Sequence, residues 1–346
     1  MRNRLLFVTI ALLFSTLACR AATRLIIPDT PTPVPPTPTP VPPTFTPFPT
    51  ATPTLTPIPE VSCPLITTDI LDTAISFNFD SDEDNEEETY IVTYHVNGDT
   101  LNRPYYESVP DHLEDEQDDN AAHEAIWGLF TRLIPLEQRD FISGFSIITD
   151  GTGNRLAAVG QSYDDAEEWV LEVDILDSSN EYVLTVTLLH EFGHLLTLNS
   201  AQVPPILEIF ENPHSNLIYE RELAACEFYF PGEGCSNEDS YINQFFDRFW
   251  FDLYAEWQEI DSEEDEDEYY ELLEEFYETY EDQFLTDYAP TSPAEDIAET
   301  FSFFILSPKL EPATIAEEKI MFFYEYPELV ELRRQILTQV CVEFPK

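Results

Sequence analysis

"LTVTLLHEFGHLLTLNS", residues 184–200, decides how the rest of the chain is read. His190 and His194 stand four apart, Glu191 follows the first, and apolar residues crowd both flanks. The pattern predicts a helix from about Tyr182 to Thr197 that is apolar on every side and therefore buried. A buried imidazole or carboxylate is costly unless it is paired or coordinates something. At i and i+4 the two imidazoles share one helix face. That spacing lets both reach a single Zn2+ at ~2.0–2.1 Å. Glu191 falls on a neighbouring face, placed to take the proton of a water whose pKa such a metal lowers toward ~7. The competing reading is two core histidines satisfied by ordinary hydrogen bonds.

The spelling H-E-x-x-H is the zincin pattern. By composition alone it arises in on the order of one chain in a hundred of this length. The buried character of the flanks separates this occurrence from chance matches on polar helices. Gly and His of the metzincin continuation are absent, since Thr197 and Ser200 stand in their places. The third ligand therefore lies elsewhere. "YAPTSPAEDIAETFSFF", residues 288–304, is the best source. Ser292 and Pro293 read as the N-cap and first position of a helix, which puts Glu295 and Glu299 on one face. Two alternatives stay open here. Ser292-x-x-Glu295 is also a capping box, which would spend Glu295 on the helix N-terminus and leave Glu299 as ligand. Asp296 equally suits the helix dipole.

HEFGH together with Tyr-x6-Glu-x3-Glu resembles the lethal factor type of gluzincin metallopeptidase. The resemblance implies Glu295 as the third zinc ligand, Glu299 as a support that holds a ligand histidine, and Tyr288 as a donor to the oxyanion. It implies one Zn2+ per chain and an α+β zincin-like fold, with a small sheet beside the histidine helix and a mostly helical C-terminal part. It covers only the two motif segments. The stretch between His194 and Glu295 is longer than in that family, which leaves the shape of the cleft and the substrate preference open.

The remaining sequence sets the context. The 346 residues carry 68 acidic and 15 basic side chains, a net charge of −53. Nucleic acid is excluded as a partner, because a polyanion needs a basic footprint; protein or peptide substrates, including basic ones, fit better. Hydrophobic residues at 43% leave enough to build a core. Arg2 and Arg4 precede the apolar run "LLFVTIALLFSTL" and then "TLAC". This resembles a lipoprotein signal peptide over residues 1–19, with Cys19 lipidated and the chain tethered on the extracytoplasmic side of a bacterial membrane. Thr16 and Leu17 depart from the usual order, so an ordinary cleaved signal, giving a secreted protein, or an uncleaved anchor are the alternatives; all three place the domain outside the cytoplasm. Residues 20–60 read as a Pro/Thr-rich extended linker, holding half of the chain's 28 prolines within 28–60 and spanning ~100 Å.

The folded domain is expected over 61–346. Strands are expected in "TYIVTYHV", "GFSIITD", "NRLAAVGQ" and "EWVLEVDIL", and helices over 121–139, 259–282 and about 315–340. The sheet edge before the histidine helix suits an extended peptide. Four cysteines remain after Cys19, an even count that suggests disulfides in an exported chain. Cys226 with Cys235 across a Pro-Gly turn, and Cys63 with Cys341, is the preferred pairing of three. His95, His112, His123 and His214 have no partner at ligand spacing. Three functions are compatible with these features: an extracytoplasmic zinc endopeptidase with Glu191 as general base, a non-catalytic binding lipoprotein on a zincin scaffold, and an acidic cation-binding surface protein.

Overall fold

A computed structural model describes residues 61–77, 88–151, 153 and 155–345. The signal peptide, Cys19, the linker and most of the acidic run 80–88 lie outside the described residues. The described part falls within one compact unit, Ile58–Lys346, and is α+β. Its strands are β1 (Thr89–Asn97), β2 (Thr100–Tyr106), β3 (Ile142–Thr149), β4 (Ala157–Gln161) and β5 (Trp169–Asp174). Its helices are α1 (Pro64–Ile75), α2 (Glu114–Asp118), α3 (Asn120–Leu133), α4 (Glu181–Leu198), α5 (Leu207–Phe210), α6 (Asn216–Ala225), α7 (Tyr241–Phe249), α8 (Tyr254–Asp261), α9 (Glu266–Thr279), α10 (Pro293–Leu306), α11 (Ile315–Phe323) and α12 (Pro327–Glu343).

The five strands order as β2-β1-β3-β5-β4. β1 pairs antiparallel with β2 and β3, β3 pairs parallel with β5, and β4 closes the far edge antiparallel to β5. The central strand β3 is the most apolar, with Phe145, Ile147 and Ile148 fully buried. The edge strand β4 is half-buried throughout, and α4 packs beside it.

Helix α4 starts where Asn180 accepts hydrogen bonds from the Tyr182 and Val183 N–H groups at its N-cap, leaving the helix bounds within one residue of those read from the sequence. Leu188, Leu189, Phe192 and Leu195 are fully buried, each contributing about 1.5–3 kcal/mol. No face of the helix meets bulk solvent along its second half, because α1, α10 and the sheet edge surround it.

Several elements differ from the sequence expectation, each for a local reason. Helix α3 stops at Leu133, short of the expected 139, because Pro135 cannot continue a helix and restricts the residue before it. The expected helix over 259–282 is two helices, α8 and α9, with Asp265 capping the second through the Glu268 N–H. Strand β2 was not expected, although Asn97-Gly98 is a hairpin signal and Gly98 sits at φ 62°. Pro104 within it is tolerated because β2 is an edge strand.

Two disulfides are formed. Cys63–Cys341 joins the start of the domain to its last helix, and Cys226–Cys235 closes a short loop. The first closes a far longer loop, worth roughly 5 kcal/mol by chain entropy against ~3 for the second. Among the described residues no helix is long and apolar enough to cross a membrane.

Candidate metal centre

Helices α4 and α10 cross in unusually close contact. A Cβ on Gly193 would stand 2.9 Å from the Ala298 Cα and 3.2 Å from its Cβ. The glycine of HEFGH and the small residue between the two glutamates therefore let the backbones meet. Phe192 packs edge-on against Phe301 one turn further, with ring centroids 5.7 Å apart. This approach carries the polar residues of both helices to one point.

At that point His190 Nε2 lies 2.9 Å from Glu295 Oε2, His194 Nε2 lies 3.2 Å from the same oxygen, and the two Nε2 atoms are 3.1 Å apart. His190 Nδ1 faces Glu299 Oε1 at 3.0 Å. Glu299 Oε2 accepts from the Thr286 hydroxyl at 2.9 Å. If the Nδ1–H of His190 goes to Glu299, its Nε2 is left as a lone pair aimed at the centre. Two imidazole nitrogens and a carboxylate oxygen then converge on one another with too few protons to satisfy all three. That donor set, mixed nitrogen and oxygen and nearly enclosed, fits a zinc-type cation.

The capping motif at the start of α10 is half formed. Ser292 does cap α10, its Oγ accepting the Glu295 N–H at 3.1 Å. The Glu295 carboxylate, however, turns to the histidines. Asp296 points the opposite way. Its Oδ2 accepts from Lys319 Nζ at 2.6 Å and Trp250 Nε1 at 2.7 Å, all three side chains fully buried. Helix α10 is thus held on one side by the histidine helix and on the other by a buried ion pair. Trp250 follows α7 and Lys319 lies on α11; neither they nor Thr286 carry a local signal in the sequence that marks them.

Electrostatics follow from this packing. Burial pushes the Glu295 carboxyl up, but His194 and His190 outweigh it and hold it far below the carboxylate range. Burial pushes the His190 imidazolium down, while Glu295 and Glu299 outweigh that and hold it well above its usual value. A positive charge at the centre, proton or metal, is what these carboxylates require. Burial raises Glu191, opposed by His190 and His194. Tyr288 is half-exposed, its ring centroid 5.9 Å from that of His190. Burial and the charges of Glu295 and Glu191 push its phenol up, so it stays a hydrogen-bond donor at neutral pH.

A second group of three acidic side chains, Asp150, Asp174 and Asp177, also has ligand-type atoms within 4.8 Å of one another. Asp174 is fully buried at the end of β5 and accepts the N–H groups of Asp150 at 2.8 Å and Leu176 at 2.7 Å. Asp150 Oδ1 and Asp177 Oδ2 have no hydrogen-bond partner. Burial and the charges of Asp174 and Asp150 push Asp177 up to about 6. His123, by contrast, is a core histidine held between the Tyr94 hydroxyl at 2.8 Å and the Glu116 carbonyl at 2.9 Å.

Set against models of known protein families, curated proteins and solved structures, the chain matches none of them.

Proposed function

We propose that this chain is a zinc metalloendopeptidase of zincin-like fold, carried on the outer side of a membrane by a lipid on Cys19 and the Pro/Thr-rich linker. The observation that carries the catalytic part is the convergence of His190 Nε2, His194 Nε2 and Glu295 Oε2, with Glu299 behind His190. These three residues would hold the metal. When bound, zinc supplies a Lewis acid that acidifies water and polarises a carbonyl. Glu191, raised by burial, accepts the proton of the attacking water and delivers it to the departing amine. Tyr288 donates a hydrogen bond to the oxygen on which negative charge develops. Glu299 fixes the tautomer and the ring orientation of His190. The half-buried edge strand β4 offers unpaired backbone groups to an extended peptide.

The test is a Glu191→Gln variant of the full chain, measured for zinc content by mass spectrometry and for cleavage of a quenched peptide library. The variant is expected to keep one zinc and to lose ~10²–10⁴-fold in cleavage. Equal cleavage by the variant, or a parent that takes up no zinc, sinks the proposal. Full zinc with no cleavage by the parent favours a binding protein on the same scaffold.

A further inference from the structure

Lys319 is a fully buried cation that the proposed chemistry does not use. An ammonium in the core is costly unless it is paired. Its Nζ donates to Asp296 Oδ2 at 2.6 Å, and Trp250 Nε1 donates to the same oxygen at 2.7 Å. Asp296 Oδ1 is enclosed without a hydrogen-bond partner, so the carboxylate is pinned by one atom. Asp296 directly follows Glu295 on α10. A grip on Asp296 therefore fixes the direction in which Glu295 leaves the helix, since successive residues are set about 100° apart.

The same ammonium lies 4.2 Å from the ring centroid of Phe284, closer than to Phe245, Phe249 or Trp250, a favourable contact for a desolvated cation. Phe284 is itself buried, with its ring edge-on to Trp250 at 5.6 Å. It opens the segment that carries Thr286 and Tyr288 to the centre. Thr286 Oγ1 accepts the Ala289 N–H at 3.2 Å and donates to Glu299 at 2.9 Å. The Tyr288 ring lies 5.9 Å from that of His190. One cation thus touches both segments that complete the site around the histidine helix. Stability alone does not ask for a charge here, because apolar side chains of similar volume generally serve a core as well as a buried ion pair. A short charged bond adds direction. Rotating α10 by ~20° would carry a carboxylate at the helix's outer radius of about 5–6 Å through ~2 Å. That displacement would part Glu295 from His190 and His194.

We infer that Lys319 is a positioning residue for the metal centre: its ammonium fixes the rotation of α10 through Asp296 and the placement of Thr286 and Tyr288 through Phe284. The consequence for turnover rests on the peptidase reading; the alignment of Glu295 with the two histidines does not.

The experiment compares the full chain with Lys319→Met and with the double variant Lys319→Met, Asp296→Asn. The single change strands a buried carboxylate and is expected to melt roughly 5–15 °C lower than the parent. The double variant removes both charges, nearly keeps the volumes and leaves Trp250 an acceptor, so it is expected to melt within about 3 °C of the parent. At that equal stability three readings separate positioning from mere support. Crystal structures of the metal-free parent and double variant are expected to show the Glu295 carboxylate displaced from the histidines by more than ~1 Å. Competition with a chelator is expected to show zinc held roughly 10–100-fold more weakly. Cleavage of a quenched peptide, counted per bound zinc, is expected to lose ~10²-fold in kcat with KM within about threefold. A double variant that melts as low as the single one assigns the pair to stability and overturns the inference. An unmoved Glu295 with the parent's zinc affinity also overturns it. A parent that takes up no zinc or cleaves nothing sinks the peptidase reading instead, and the two metal-free crystal structures then decide the positioning role by themselves.

Discussion

The His190–His194–Glu295 cluster and the Asp150–Asp174–Asp177 cluster each bring three donor atoms within 4.8 Å of one another, yet they settle their charge in opposite ways. In the first, two imidazoles face one carboxylate, and Glu299 and Thr286 orient the set from behind. The Glu295 carboxyl is held down despite its burial. In the second, three carboxylates face each other, and burial, reinforced by neighbouring carboxylates, pushes Asp174 and Asp177 up. A zinc-type site takes a mixture of donors and hydrogen bonds that aim them, which the first cluster has and the second lacks.

The largest expected effect breaks the first cluster. Glu295→Gln should lower zinc affinity by more than ~100-fold, and Glu299→Gln by roughly 10–100-fold, both read by competition with a chelator. The reverse order would exchange the roles of the two glutamates. If a Glu295→Gln chain still holds one zinc, the metal sits elsewhere, and the contrast between the clusters fails.

A smaller effect sharpens the comparison by moving the helices rather than the ligands. Gly193→Ala forces a Cβ to 2.9 Å from the Ala298 Cα, so α4 and α10 must separate. A loss of about 1–3 kcal/mol in unfolding free energy is expected, together with weaker zinc binding, although every ligand is retained. Unchanged zinc affinity in a destabilised variant would show that the site tolerates a wider crossing.

The smallest effect tests the second cluster. Burial and the charges of Asp174 and Asp150 push the Asp177 carboxyl from an ordinary value of 3.8 up to about 6 in the folded protein. A raised carboxyl contributes stability that is fully present below ~4 and is lost as pH rises through ~6. Asp177→Asn should therefore melt a few degrees higher than the parent at pH 7, with the advantage shrinking between pH 6 and 4 and vanishing below it. A variant less stable at pH 7 than the parent would mean that this carboxylate is compensated in the native protein.

Much of the candidate centre was legible in one dimension. Spacing put His190 and His194 on one face, and Ser292-Pro293 announced the start of α10 where it is found. The apolar flanks of HEFGH announced a helix buried on all sides, which α4 is over its second half. Both preferred disulfides are formed. What was read poorly depends on neighbours. The break between α8 and α9 reflects an Asp265 cap that competes with helical continuity inside an otherwise periodic acidic run. Trp250 carries no local signal of its role, which appears only where Asp296 and Lys319 meet it.

The sequence by itself determined the residue types, their helical spacing and the local starts and stops, because these follow from backbone periodicity and capping within a few residues. It left Glu295 divided between capping and coordination, since both roles demand the same residue at the same place. Only the tertiary structure shows where its carboxylate turns. The close crossing at Gly193 and Ala298 brings the carboxylate to two imidazoles over a hundred residues away in the chain. Enclosed there, the carboxylate is held down by the histidines against its own burial, an effect set by neighbours distant in the chain.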